Sequence, residues 1–169
     1  MKKIIFLLTF VISSHLWASN HSLDSTIDKH QSEFENVAMT IWDLAEVGYQ
    51  EYESSKLLQN SLKDHGFRIQ TNVADIPTAF IAEYGSGSPV IAILGEFDAL
   101  PGVAQSASPF KEPYKNNQAG HACGHHLFGA GSAWSSVVIK DWMKANNIKG
   151  TIRFYGTPAE EGGSGKVYM

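Results

Sequence analysis

Val90-Ile91-Ala92-Ile93-Leu94-Gly95-Glu96-Phe97-Asp98-Ala99-Leu100-Pro101-Gly102 is the stretch on which the reading of the fold turns. The run from Val90 to Leu94 is apolar without a break. Such a run suits a strand covered on both faces, as in a parallel or mixed sheet between helices. Two acids at spacing two, Glu96 and Asp98, leave its C-terminal end. Taken alone, they read equally well as a polar strand exit stopped by Pro101 and as part of a site.

Outward from this strand the pattern is of mixed helix and strand. From about Phe34, the positions Val37, Ile41, Leu44 and Ala45 recur at helical spacing. A second helical run begins near Ser54, carries Leu57, Leu58, Leu62 and His65, and stops at Gly66. Residues 67–73 and 78–84 read as further strands. Gly85-Ser86-Gly87-Ser88-Pro89 joins two strands and reads as a hairpin turn, since no helix follows to make it a phosphate loop. Residues 101–119 form a long stretch without periodicity, rich in Ser, Pro, Asn and Gln; loops of this length are usually functional or mobile. Leu127, Ala130, Trp134, Val137, Val138 and Trp142 then mark an amphipathic helix ending near Asn147, and residues 151–155 form another strand. This order predicts an α/β domain layered helix-sheet-helix. No internal repeat or low-complexity tract is present.

The N-terminus reads as an export signal over residues 1–18. Lys2 and Lys3 precede an apolar run over 4–12, and Leu16-Trp17-Ala18 offers a cleavage site. The expected mature chain, 19–169, is about one domain. Residues 19–33 are polar and read as a loose lead-in. Export predicts a periplasmic or extracellular location, where cysteines usually pair; the chain has one cysteine. The formal net charge of −4, with no basic cluster, argues against a nucleic-acid partner. No second hydrophobic run is long enough to span a bilayer.

The chemistry concentrates in two short segments. His121-Ala122-Cys123-Gly124-His125-His126 holds the single cysteine and three of the seven histidines. Thr157-Pro158-Ala159-Glu160-Glu161-Gly162-Gly163 holds adjacent carboxylates. These are zinc-ligand types together with the carboxylate that a zinc hydrolase uses as a base. In an extended segment Cys123 and His125 would point the same way and reach one ion, while Glu160 and Glu161 would point apart. A lone cysteine is more often a small buried hydrophobe and a Glu-Glu pair more often a solvated face; it is their combination that favours a metal. Ser164-Gly165-Lys166 echoes a nucleotide-binding loop but fails it, because Glu160 and Val167 stand where a glycine and a hydroxyl are required.

Together the segments resemble the zinc amidohydrolases and metallopeptidases of the aminoacylase and carboxypeptidase type, nearest the branch of aminobenzoyl-glutamate utilisation protein B. Glu96-Phe97-Asp98-Ala99-Leu100-Pro101-Gly102, Gly120-His121-Ala122-Cys123-Gly124-His125, the segment from Gly156 to Lys166, and Leu44-Ala45-Glu46-Val47-Gly48-Tyr49-Gln50-Glu51 carry the resemblance. It implies a zinc exopeptidase-like catalytic domain. Cys123 would be a bridging metal ligand, His125 a terminal ligand and Glu161 a ligand. Glu160 would be the catalytic base and Asp98 would orient a ligand histidine. The ions would be Zn2+ (or Mn2+ or Co2+), one or two in the complete enzyme. The substrate would be an N-acyl amino acid or small peptide, and the full-length protein a homodimer. His126 stands where relatives often have an acid or amide, so neither it nor His121 receives a role. The family's lid or dimerisation domain and its C-terminal histidines have no counterpart in these residues. The expectation is therefore a truncated N-terminal part of the catalytic domain, the alternative being an inactive metal-binding fragment or a non-catalytic binding module.

Overall fold

A computed structural model describes residues 5–114 and 118–169, with side chains from Asp24 onward. Four strands, β1 (Arg68–Thr71), β2 (Phe80–Ser86), β3 (Val90–Glu96) and β4 (Gly150–Thr157), form one sheet in the order β1-β2-β4-β3. β2 is antiparallel to β1 and β4, and β3 runs parallel to β4. Three helices accompany it: α1 (Ile5–Leu44), α2 (Tyr52–Asp64) and α3 (His125–Ala145); α2 and α3 lie against the sheet and α1 packs against them. Two four-residue helical turns follow β4, α4 (Glu160–Gly163) and α5 (Gly165–Tyr168). The chain is thus a mixed α/β unit with helices flanking a sheet.

The core is built from one face of the sheet. Register sets Ala82 beside Phe154 and Phe154 beside Ile93, and this face meets Phe34 and Ile41 of α1, Leu58 and Leu62 of α2, and Ala133 and Val137 of α3. The opposite face carries Glu83 and Arg153, which are register partners and an ion pair.

Three local expectations are corrected. The strand at 90–94 is not covered on both faces. It lies at the sheet edge beside β4, and Val90, Ile91 and Leu94 are each 43–51% exposed. Nor is 85–89 a hairpin turn, because β4 lies between β2 and β3. The connection passes over the start of β4, where the Thr151 amide donates to Pro89 O (2.9 Å) and its hydroxyl to Gly87 O (2.8 Å). Turn chemistry is the same for both topologies; the inserted strand comes from far downstream. Finally, residues 19–33 are helical and continuous with α1. The buried stripe Phe34, Val37 and Ile41 extends back to His30, also buried, whose polar end is tied to Asp141 of α3. A histidine at that position hides the stripe from a count of apolar residues.

The expected export signal falls wholly on residues whose side chains lie outside the described set; from Ile5 its backbone forms part of α1. No described helix is long and apolar enough to cross a membrane.

The long loop doubles back on itself. Leu100 and Gly120 exchange backbone hydrogen bonds of 3.0 and 2.9 Å, and the Ala104 amide donates to Gln118 O. This ladder brings the exit of β3 alongside the segment that enters α3.

Asp141 anchors α1 to α3. Burial opposes its charge, but hydrogen bonds from Lys140 and His30 hold its carboxyl at about 2. The native carboxyl gives up its proton more readily than the unfolded one, so its contribution is present above about pH 4 and is lost as pH falls toward 2. Asp141→Asn should therefore cost about 2 kcal/mol at pH 7. Urea denaturation should show the loss, and a stability difference between the two proteins that shrinks from pH 4 to pH 2.

Candidate metal centre

The centre is assembled where three segments end. β3 exits through Glu96 and Asp98, α3 begins at His125, and β4 runs into the turn that bears Glu160 and Glu161. Gly124, just before α3, has φ +85, a left-handed conformation that glycine adopts without steric cost. Its amide donates to His121 O (3.0 Å), so residues 121–124 turn rather than extend. Cys123 and His125 therefore share one space through a turn, not through the alternation of an extended chain. One helical turn on, Gly129 is pressed against the strand exit: a Cβ there would lie 2.6 Å from Glu96 O.

Asp98, 1% exposed, links the pieces. Its Oδ1 lies 2.9 Å from His125 Nδ1, and its Oδ2 accepts the Glu161 amide at 2.8 Å. With Nδ1–H donating to Asp98, Nε2 keeps its lone pair and faces the acids, as in a carboxylate–histidine–metal arrangement. Around Nε2 stand Glu96 Oε2 at 3.0 Å, Glu160 Oε2 at 3.8 Å and Glu161 Oε1 at 3.9 Å. Two overlapping donor sets result, Cys123–His125–Glu161 and Glu96–His125–Glu160, each with its ligand atoms within 4.8 Å of one another. His125 belongs to both.

Glu160 and Glu161 do not point apart as an extended segment would make them. Ala159 is left-handed (φ 54) and Glu161 has ψ 80, so the backbone kinks and turns both carboxylates toward His125. Glu51 supports the kink from behind. It is fully buried and its Oε1 accepts the Ala159 amide at 2.7 Å; burial pushes its carboxyl above the usual range.

The donor set fits a divalent cation. Glu161 Oε1 is buried with no hydrogen-bond partner, a costly condition for a carboxylate oxygen that an ion would relieve. The Cys123 thiol is pushed up by its hydrogen bond with Glu161 and by the charges of Glu161, Glu160 and Glu96. A cation among these groups reverses that bias, since a coordinating thiol is deprotonated. Lys166 also pairs with Glu96, which is part of the compensation for the acids. Thiolate, imidazole and carboxylate together are a zinc-type set.

Every residue singled out in the sequence lies in this cluster: Cys123, His125 and Glu161 as one donor group, Glu160 in the second, and Asp98 behind His125. Glu96 was noted with Asp98 at the strand exit but given no role, and Glu51 was given none. The spacing of Glu96 and Asp98 was a signal for Glu96; a lone glutamate before a helix gives none for Glu51. His121 and His126 are in neither donor group. Both are buried beside Trp42, and the His121 ring lies 3.0 Å from Ile41 O. Burial lowers both, His126 to about 4.

Residues 92–169 match the profile of Peptidase family M20/M25/M40. Over these residues the chain is similar to peptidase family M20. The chain is 40% identical over 148 residues to a component of the p-aminobenzoyl-glutamate hydrolase of Escherichia coli (strain K12), a match that covers 87% of this chain and 31% of that protein. It is 28% identical over 139 residues to hippurate hydrolase of Campylobacter jejuni, covering 82% of this chain and 35% of the relative. Among solved structures, a dinuclear metal-binding peptidase from the M20 family of Bacillus subtilis superimposes with a TM-score of 0.56 at 31% identity, over 78% of this chain and 37% of the other. The M20 family consists of divalent-metal-dependent amidohydrolases and peptidases acting on N-acyl amino acids and dipeptides. This chain spans about a third of the length of the relatives it matches.

The close approach of Gly129 to Glu96 can be tested. Gly129→Ala should lower stability by about 1–3 kcal/mol, because the methyl must push α3 off the strand exit. Denaturant midpoints of the two chains measure this; equal midpoints would contradict the packing.

Proposed function

We propose that this chain is the N-terminal part of the catalytic domain of an exported, metal-dependent M20 amidohydrolase. Its substrate would be an amide joining an acyl group to an amino acid, or a small peptide. The observation that carries the reading is the convergence of Cys123, His125 and Glu161 into one donor set around a buried, unpartnered Glu161 oxygen. The names of the E. coli and C. jejuni relatives favour an aroyl amino acid as the acyl class. Because the chain spans about a third of these relatives, turnover is proposed for the longer polypeptide, together with the homodimer that the family resemblance implies.

Cys123, His125 and Glu161 would hold the ion, with Glu96 beside it and Glu160 left unligated as a base. A bound divalent ion would polarise the scissile carbonyl and acidify water. The protein's own contribution is orientation and proton transfer. Asp98 accepts a hydrogen bond from His125 Nδ1–H, which directs Nε2 at the donor set. Through the Glu161 amide the same carboxylate sets the position of the acidic turn. Glu160 is the more accessible of the paired acids, with 41% of its side chain exposed against 18% for Glu161. In this reading it would take a proton from the attacking water and return it to the departing nitrogen, a role worth roughly 100-fold to 10,000-fold.

In the full-length protein, Glu160→Gln should lose that factor in kcat against aminobenzoyl-glutamate or an N-acyl amino acid while retaining its metal. Cys123→Ser should lose metal by elemental analysis. Loss of metal from Glu160→Gln, with retention in Glu161→Gln, would reverse the two assignments.

Export rests on Lys2, Lys3, the apolar run at 4–12 and Ala18. N-terminal sequencing of the protein from its native host should begin near Ser19; an intact Met1 would contradict it.

A further inference from the structure

We propose that His30, Glu33 and His65 form a second divalent-cation site, sharing no residue with the centre at His125 and suited to a borderline transition ion such as zinc. One ring nitrogen of each histidine and one carboxylate oxygen of Glu33 lie within 4.8 Å of one another.

Local structure explains the convergence. His30 and Glu33 are three apart on α1, and so project from one face of the helix. His65 is the C-cap of α2, and Gly66 at φ +87 turns the chain away immediately after it. The two helix faces are locked together there. The His30 ring stands edge-on to His65 with centroids 4.9 Å apart, and Phe34 stacks on His65 at 6.1 Å. The rings are therefore held in place before any ion arrives.

The donor chemistry is that of a metal site. His65 Nε2 lies 2.9 and 3.0 Å from the two Glu33 oxygens, so its nitrogen axis is aimed into the carboxylate. Replacing the shared proton by a cation needs no new direction of approach and releases that proton. His30 Nε2 lies 2.9 Å from Asp141 Oδ2, the carboxylate backing that steadies a ligating imidazole. The Ser61 hydroxyl donates to Glu33 Oε1 at 3.0 Å and steadies the third donor. Lys29 and Lys140 lie close by, but both pair with Asp141. Zinc bonds of 2.0–2.2 Å put tetrahedral ligand atoms roughly 3.3 Å apart, within side-chain adjustment of this cluster. The two histidine side chains are 6% and 17% exposed, whereas Glu33 at 40% leaves the mouth open to an ion and a water ligand.

A plain ion pair between Glu33 and His65 would need one imidazole. The second, buried and edge-on to the first, is what an ion would use, since it takes both rings in their neutral form.

The test uses the full 169-residue chain carrying Cys123→Ser, Glu160→Gln and Glu161→Gln, which disables both donor sets at the first centre. Calorimetric titration with zinc should show one equivalent bound. Adding His65→Gln, or Glu33→Gln, should weaken that binding by about 100-fold or more, beyond the 10- to 100-fold typical of losing only a supporting partner. Circular dichroism and melting without metal check that each variant folds, and Glu33→Gln, at the more exposed position, serves if His65→Gln does not. Cobalt bound in this background should show d–d bands without thiolate charge transfer. The proposal is overturned if the Cys123/Glu160/Glu161 triple variant binds no zinc, or if its zinc affinity is unchanged by a folded Glu33→Gln or His65→Gln variant.

Discussion

The buried carboxylate of Asp98 is the constraint on which the candidate centre depends. It leaves β3 at 1% exposure, and each of its oxygens is committed to a different segment, one to the His125 ring and one to the Glu161 amide. A buried carboxylate is tolerable only when hydrogen-bonded, and here its two partners are the start of α3 and the turn after β4. The charge that needs satisfying is thus what brings the ligand-bearing segments together. Close packing fixes the same junction sterically, with Gly129 against Glu96 O and Gly95 against Phe154.

Around that junction the electrostatics are lopsided. Glu96, Glu160 and Glu161 crowd a single imidazole, with Lys166 as a cationic partner of Glu96. Like charges this close repel strongly outside bulk water, and the Cys123 thiol is pushed up by its hydrogen bond with Glu161 and, to a lesser degree, by these charges. A divalent cation turns each of these liabilities into a ligand. The arrangement of this chain's own side chains fits such an ion, in agreement with the metal dependence of the M20 family.

Much of this was legible in the sequence because it is written in residue types that have few other uses. A cysteine and histidines in one short turn, paired glutamates after a strand, and acids at a strand exit mark the centre without any coordinates. The elements were legible where periodicity was strong, as along α2 and α3. What escaped depends on partners distant in the chain. The 85–89 connection looks like a hairpin because its glycines and proline carry no record of β4 inserting between β2 and β3. The apolar run of β3 suggests cover on both faces, yet Val90, Ile91 and Leu94 are exposed at the edge. The early part of α1 was hidden because a buried stripe position is filled by His30, which reads as polar until Asp141 is placed against it. Glu51 has no local signal at all; its role rests on an amide more than a hundred residues away.

The central claim is that the acids around His125 are arranged for a cation. The most direct measurement is anomalous diffraction at the zinc edge from crystals of the protein grown or soaked with zinc. The predicted result is a peak about 2.3 Å from Cys123 Sγ and about 2.0–2.1 Å from His125 Nε2, within bonding reach of Glu161. Density showing Cys123, His125 and Glu161 ordered as described, at saturating zinc, with no anomalous peak among them, would contradict it.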